Sequence, residues 1–380
     1  MRNLGGYLFF GVGKMNKHSY KEATLGKYIE LISGQHILAH HVNTVAKGVP
    51  YLTGPADFQT GYIQQTKFVE KPKTMCKKGD LLLTVKGSGV GSMVVADNGY
   101  CISRQLMALR AQRIDAGFLS YVVPNAMKDL IRRAAIGMIP GISRADILNL
   151  KILVPTMPEQ KKIAAVLKTW DEAIYLTEQL IERKQKYKKA LMRYLLSRTL
   201  RFKNFQGNWT KKNLGMLCAI KTGKRDANHG SDIGEYPFFT CSKETKRIAD
   251  YSFDTEAILI AGNGDIGHCK YYKGKFDAYQ RTYVLDRFHQ IHPMFCFYTL
   301  QMDFESQAQN EAQRGAMPYI KLETLTKFSL LLPSYAEQLE IVNLITQLVN
   351  SEKAEVKKLL LFRKQKHSLL QQLLTGKLRI

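Results

Sequence analysis

Leu153-Val154-Pro155-Thr156-Met157-Pro158-Glu159-Gln160 returns far down the chain as Leu331-Leu332-Pro333-Ser334-Tyr335-Ala336-Glu337-Gln338. The same offset carries Gly137-Met138-Ile139-Pro140 onto Gly315-Ala316-Met317-Pro318. It also carries Leu195-Leu196-Ser197-Arg198-Thr199-Leu200-Arg201-Phe202 onto Leu373-Leu374-Thr375-Gly376-Lys377-Leu378-Arg379-Ile380. Solenoid repeats have periods of roughly 20–50 residues, and this offset is far longer. It marks a duplicated domain together with its connecting helix. A chain with such pseudo-twofold symmetry suits a target that itself has two parts.

Each copy of the motif opens a long helical pattern. From Pro158 to Leu196 apolar residues recur at alternating steps of three and four, among them Ile163, Leu167, Trp170, Ile181 and Leu195. Ala336 to Leu374 repeats this with Ile341, Ile345, Leu359, Leu370 and Leu373. Proline and glutamate at both starts suit a first helical turn. About 39 residues at 1.5 Å rise make a rod of roughly 58 Å. Their matched lengths predict an antiparallel pair zipped along apolar seams. The basic run Arg183-Lys184-Gln185-Lys186-Tyr187-Lys188-Lys189 reads as a solvated helix face, or one that meets a partner or phosphates.

Ahead of each helix lies a β-rich unit. One opens near Tyr20-Lys21-Glu22-Ala23-Thr24-Leu25-Gly26 and the other near Trp209-Thr210-Lys211-Lys212-Asn213-Leu214-Gly215. Gly34 and Gly223 follow at turns. Asp80-Leu81-Leu82-Leu83-Thr84-Val85 and Ala257-Ile258-Leu259-Ile260-Ala261 read as buried strands. They run into Gly87-Ser88-Gly89-Val90-Gly91 and Gly262-Asn263-Gly264-Asp265-Ile266-Gly267. Neither cluster fits a phosphate-binding loop, and β-type residues follow instead of a helix, so hairpin turns are expected. The predicted organisation is a leader of residues 1–19, which need not fold, with Met15 as an alternative start. After it come a first β-rich domain at 20–155, a helix at 156–200, a second β-rich domain at 201–333 and a helix at 334–380. The fold class is mixed α/β, with two α/β domains separated by a coiled-coil spacer of two antiparallel helices.

Lys and Arg total 56 against 32 acidic residues in 380, a formal charge of +24. Such an excess points to a polyanionic partner, nucleic acid first. The six cysteines form no C-x-x-C pair and read as buried thiols of a reducing cytoplasm. His40-His41 and His289-x-x-His292 lack completing ligands and read as surface or packing residues, so no metal is expected. No apolar run approaches the roughly 20 residues of a membrane span. Catalytic signatures are missing too. There is no Asn/Asp-Pro-Pro-Tyr/Phe tetrapeptide, no Walker motif and no acidic cluster with a paired lysine. Phe10-Gly11-Val12-Gly13 has no strand–helix context.

The duplicated Pro-x-x-x-Glu-Gln starts carry a resemblance, together with the long helices, Gly79-Asp80-Leu81-Leu82, and Leu200-Arg201-Phe202-x-x-Phe205-x-Gly207-x-Trp209. From about Tyr20 to Ile380 the chain resembles the specificity subunit of type I restriction–modification systems. It departs at Thr255-Glu256-Ala257, which stands where the first unit has Gly79-Asp80-Leu81. The resemblance implies a non-catalytic cytoplasmic subunit. Its two domains would each read half of a split double-stranded DNA site, and its helices would dock two methyltransferase subunits. Restriction/translocase subunits would join for cleavage. No cofactor is expected in this chain; S-adenosylmethionine, ATP and magnesium would reside in the partners. The rival readings are a stand-alone duplicated DNA-binding regulator and a self-contained methyltransferase or nuclease.

Within the units, Ser103-Arg104-Gln105 and Gln280-Arg281-Thr282 occupy comparable places after the glycine turns. Arginine grips guanine with two donors and glutamine grips adenine, so Arg104, Gln105, Gln280 and Arg281 are candidate DNA contacts. Lys86, Ser88, Lys221, Lys224 and Arg225 are supporting candidates. The alternative for the basic residues is pairing with structural carboxylates.

If the helices set the distance between half-sites, inserting four helix-forming residues within 175–190 adds about 6 Å. DNA rises about 3.4 Å per base pair. Methylation mapping in cells carrying the insertion should then show a spacer longer by about one to two base pairs and unchanged half-sites. An active complex with its original spacer would remove the helices from that role.

Overall fold

The computed structural model describes residues 20–58, 61–87, 89–137, 141–313 and 318–380. The expected leader, with Phe10-Gly11-Val12-Gly13 and Met15, lies outside them. So do Ser88 and parts of the two Gly-x-x-Pro segments. The chain divides into two compact units. One holds the described residues up to Leu176 with Leu359–Ile380, and the other holds Thr177–Lys358.

In the first unit, Ile29–Ser33, Leu106–Ala111, Leu81–Thr84 and Met93–Val95 form an antiparallel sheet in that order. Leu81–Thr84 is buried throughout because both of its faces are covered. Side chains alternate along a strand. Leu81 and Leu83 therefore join a core with Phe118 and Val122, while Leu82 joins a second with Leu52, Tyr100 and Ile102. A five-stranded sheet, in which Val49–Leu52 runs parallel to Tyr100–Ile102, completes the domain.

The second unit is built on one six-stranded sheet. Its central strand Phe253–Ala261 sends Ile258 and Ile260 into a core with Phe295 and Phe304. On its other face Ala257 and Leu259 pack with Phe239, Phe276 and Val284. Both glycine clusters are hairpin turns. Leu81–Thr84 pairs with Met93–Val95 across the first, where Gly91 N–H donates to Thr84 O at 2.8 Å. Phe253–Ala261 pairs with Cys269–Ala278 across the second, where Gly267 N–H donates to Ala261 O at 2.9 Å.

The long helices are Met157–Leu196 and Tyr335–Leu374, each of 40 residues. In the second unit Lys184 pairs with Glu355 at 3.1 Å and Lys188 with Glu352 at 2.5 Å. Numbering rises along one helix as it falls along the other, so the helices run antiparallel there. In the first unit Trp170 meets Phe362 edge-on at 5.6 Å, and Asp171 pairs with Lys366. The apolar stripe does more than zip helix to helix. Ile163, Leu167 and Leu373 enter the first domain's core, and Leu195, Ile341 and Ile345 enter the second's. Salt bridges take over part of the helix pairing, which puts Lys184 and Lys188 of the basic run to structural use.

The repeated Glu-Gln pair is a buried clasp. Glu337, 1% exposed, accepts two hydrogen bonds from Arg201 at 2.8 and 2.7 Å and one from Trp209 Nε1 at 3.1 Å. Glu159 does the same with Arg379 at 2.9 and 2.8 Å and Tyr20 Oη at 3.3 Å. Gln160 Oε1 accepts from Asp115 N–H at 2.8 Å, and its Nε2 donates to Pro155 O at 2.9 Å. Gln338 repeats this with His292 N–H at 2.7 Å and Pro333 O at 3.1 Å. Asp115 and His292 in turn cap the domain helices Ala116–Ala126 and Pro293–Thr299. Each clasp therefore ties a long helix to the domain's opening aromatic, to a domain helix and to the segment after the other long helix.

Removing one partner of a buried ion pair costs more than removing both, because it strands a charge away from water. Arg201→Ala is therefore predicted to lower the melting temperature more than the double replacement Arg201→Leu with Glu337→Leu. Calorimetry of the three proteins decides this, and an equal or larger loss in the double variant would refute it.

Candidate nucleic-acid interface

Two tight turns, one in each domain, present the candidate contacts. Ser103-Arg104-Gln105-Leu106 is closed by Leu106 N–H donating to Ser103 O at 2.9 Å, and Tyr279-Gln280-Arg281-Thr282 by Thr282 N–H donating to Tyr279 O at 2.8 Å. The same backbone frame holds both. Ser103 N–H bonds Leu52 O, and Tyr279 N–H bonds Phe239 O, each at 2.9 Å. Val85 N–H bonds Gln105 O at 2.8 Å, and Gly262 N–H bonds Arg281 O at 3.0 Å. These bonds align Arg104 with Gln280 and Gln105 with Arg281. That register differs by one residue from the one read in the sequence, where Arg104 lay over Arg281.

Gly34 and Gly223 press against these turns. A Cβ at Gly34 would lie 2.1 Å from Ser103 O, and one at Gly223 1.8 Å from Ala278 O. No side chain fits either place, so glycine sets how closely the backbones approach.

Arg104, Gln105, Gln280 and Arg281 are all exposed. Among the described residues neither arginine is in an ion pair. Lys86 is exposed beyond the strand Leu81–Thr84, and Lys224 is exposed beside the second turn's domain frame. Lys221 and Arg225 are committed elsewhere. Lys221 pairs with Asp286 at 3.4 Å, and Arg225 with the fully buried Asp277 at 3.3 Å. Ser88 is outside the described residues.

Around the second turn runs an open groove of about 470 Å³, lined by Thr222, Gln280, Arg281, Tyr319 and Lys321 among others. Tyr319 and Lys321 escaped the sequence reading. The repeat offset was the available signal, since it places Gly141-Ile142-Ser143 on Tyr319-Ile320-Lys321. The frame agrees: Ile142 N–H bonds Val85 O and Ile320 N–H bonds Gly262 O, both at 2.9 Å.

Exposed guanidinium and carboxamide groups on rigid turns can form paired hydrogen bonds to base edges. The buried thiols offer no comparable chemistry. Burial pushes Cys76 up to about 11 and Cys218 up to about 12, so both stay protonated and unreactive at neutral pH.

The fold is duplicated, with one such exposed turn in each domain. The profile of the "Type I restriction modification DNA specificity domain" matches residues 18–183 and again 206–360. The chain belongs to that family. It is 38% identical, over 40% of its own length, to the type I restriction enzyme EcoDI specificity subunit of Escherichia coli. It spans about a third of that relative, 34%. It is also 22% identical to the MjaVIII specificity subunit of Methanocaldococcus jannaschii, over 94% of this chain and 92% of that one. The crystal structure of the S subunit from M. genitalium shares the fold with a TM-score of 0.66 at 18% identity, covering 95% of this chain and 98% of that one.

Gly34→Ala and Gly223→Ala should each displace the turn they touch and lower the melting temperature. Gly207→Ala should not, because nothing lies within 4 Å of its added Cβ. Thermal unfolding of the three variants tests the assignment; an unchanged Gly223→Ala protein would contradict it.

Proposed function

We propose that this protein is the DNA sequence-specificity subunit of a type I restriction–modification complex. One observation carries the reading: two domains share a backbone frame down to single hydrogen bonds, yet present different side chains at its tips. That is what two readers of two different half-sites require. Family membership and the +24 charge support it.

In this reading residues 20–155 and 201–333 are the recognition domains, and 156–200 and 334–380 are the helices that dock two methyltransferase subunits. Restriction/translocase subunits join the same assembly in the cytoplasm. S-adenosylmethionine, ATP and magnesium serve those partners. Arg104, Gln105, Gln280 and Arg281 contact DNA, and Lys86, Ser88 and Lys224 assist. Lys221 and Arg225 act through the carboxylates they hold, by stiffening the second domain. No helix among the described residues is long and apolar enough to cross a membrane.

Exchanging residues 210–332 for the corresponding segment of a relative, with both helices kept, should change one half of the methylated sequence and leave the other. A simultaneous change in both halves would contradict independent reading. The purified chain alone should neither methylate nor cleave DNA, and turnover abolished by substitutions in its own residues would overturn the assignment.

A further inference from the structure

We infer that Gln105 and Arg281 occupy one and the same reading position in the two domains. Gln105 selects adenine there in one half-site, Arg281 selects guanine in the other, and Lys321 holds a backbone phosphate beside Arg281. The inference rests on the DNA-reading function proposed above and adds which residue meets which base.

Position is the first argument. The carbonyl of each residue is held by the N–H that follows or ends the central strand, Val85 for Gln105 and Gly262 for Arg281. The turn that carries each residue is closed by the same backbone bond, Leu106 N–H to Ser103 O in one domain and Thr282 N–H to Tyr279 O in the other. The two side chains therefore start from matched backbone positions and differ in what they offer.

Chemistry is the second argument. A carboxamide presents one donor and one acceptor, which match adenine N7 and N6. A guanidinium presents only donors, which match guanine O6 and N7. Two arginines of these domains are committed to carboxylates, Arg110 to Asp80 and Arg225 to Asp277, which sets them apart from Arg104 and Arg281. Arg281 is exposed and outside any ion pair among the described residues. Its charge is available to a ligand.

Lys321 supplies the third, because it breaks a local rule. In the first domain Ser143 begins the helix Arg144–Leu148 with a complete capping box to Asp146. At the matching place Lys321 begins Leu322–Thr326 and makes no capping bond. Lysine is a poor residue there, both for want of an acceptor and for its charge. It is exposed and lines the same groove as Arg281. An anionic ligand in that groove gives its charge a use, and in a DNA reader that anion is a phosphate.

The test uses the chain with its modification subunits, mapping methylated sites for the wild type and four variants. Arg281→Gln should shift one position of one half-site from guanine towards adenine, and Gln105→Arg should shift one position of the other half-site from adenine towards guanine. Arg281→Lys keeps the charge and loses the two-pronged grip, so discrimination at that single position should fall about ten- to a hundredfold. Lys321→Ala should weaken all sites alike and make the slope of log affinity against log salt shallower by about 0.9. Unchanged motifs in Arg281→Lys and Gln105→Arg would overturn the base assignment. So would a uniform loss of methylation in Arg281→Lys, with melting unchanged and no base preference altered. A wild-type complex that methylates no two-part sequence would overturn the DNA-reading function, and this inference with it.

Discussion

Two buried carboxylates organise this chain. Glu159 and Glu337 each sit in the first turn of a 40-residue helix, and each is gripped by an arginine lying beyond the end of the other helix. A carboxylate taken out of water needs full pairing, and here it has it: two bonds from a guanidinium and one from an aromatic donor. Because those partners come from distant parts of the chain, the requirement fixes several elements at once. The neighbouring glutamines extend the constraint to the caps of the domain helices. A burial cost thus becomes a positional rule, applied twice.

On that base each domain separates its scaffold from its exposed turn. The bonds that shape the turns at 103–106 and 279–282 run mostly backbone to backbone, with Ser103 Oγ and Cys241 Sγ adding to them, and glycines set the spacing. Side chains at the tips carry almost none of the folding load, so Arg104, Gln105, Gln280 and Arg281 can differ without cost to the frame. Stability comes instead from interleaved faces of the central strands, where Leu81 and Leu83 or Ile258 and Ile260 face one core and their neighbours another. Such an arrangement lets the two exposed turns diverge while the helices and clasps stay alike.

The candidate site was legible in part. Arg104, Gln105, Gln280 and Arg281 stood out because they follow glycine turns, and all four are exposed. Their pairing across the repeat was misjudged by one residue, since side-chain identity suggested Arg over Arg while the backbone frame aligns Gln105 with Arg281. Lys221 and Arg225 looked as available as Lys224. Their carboxylates, Asp286 and Asp277, are distant in sequence and arrive only through strand pairing. Tyr319 and Lys321 carried no local signal of their own.

From the sequence alone came the duplication, the extents of both long helices, the buried strands and the hairpin use of the glycine clusters. These are local properties: hydrophobic period, turn chemistry and repeated residues are written along the chain. The tertiary structure decided which charges are free, how the turns align, and why Glu and Gln recur together. Those depend on which distant groups share a buried space. Desolvation decides that contest, because a charge's cost is set by the partners the fold brings to it and not by its neighbours in sequence.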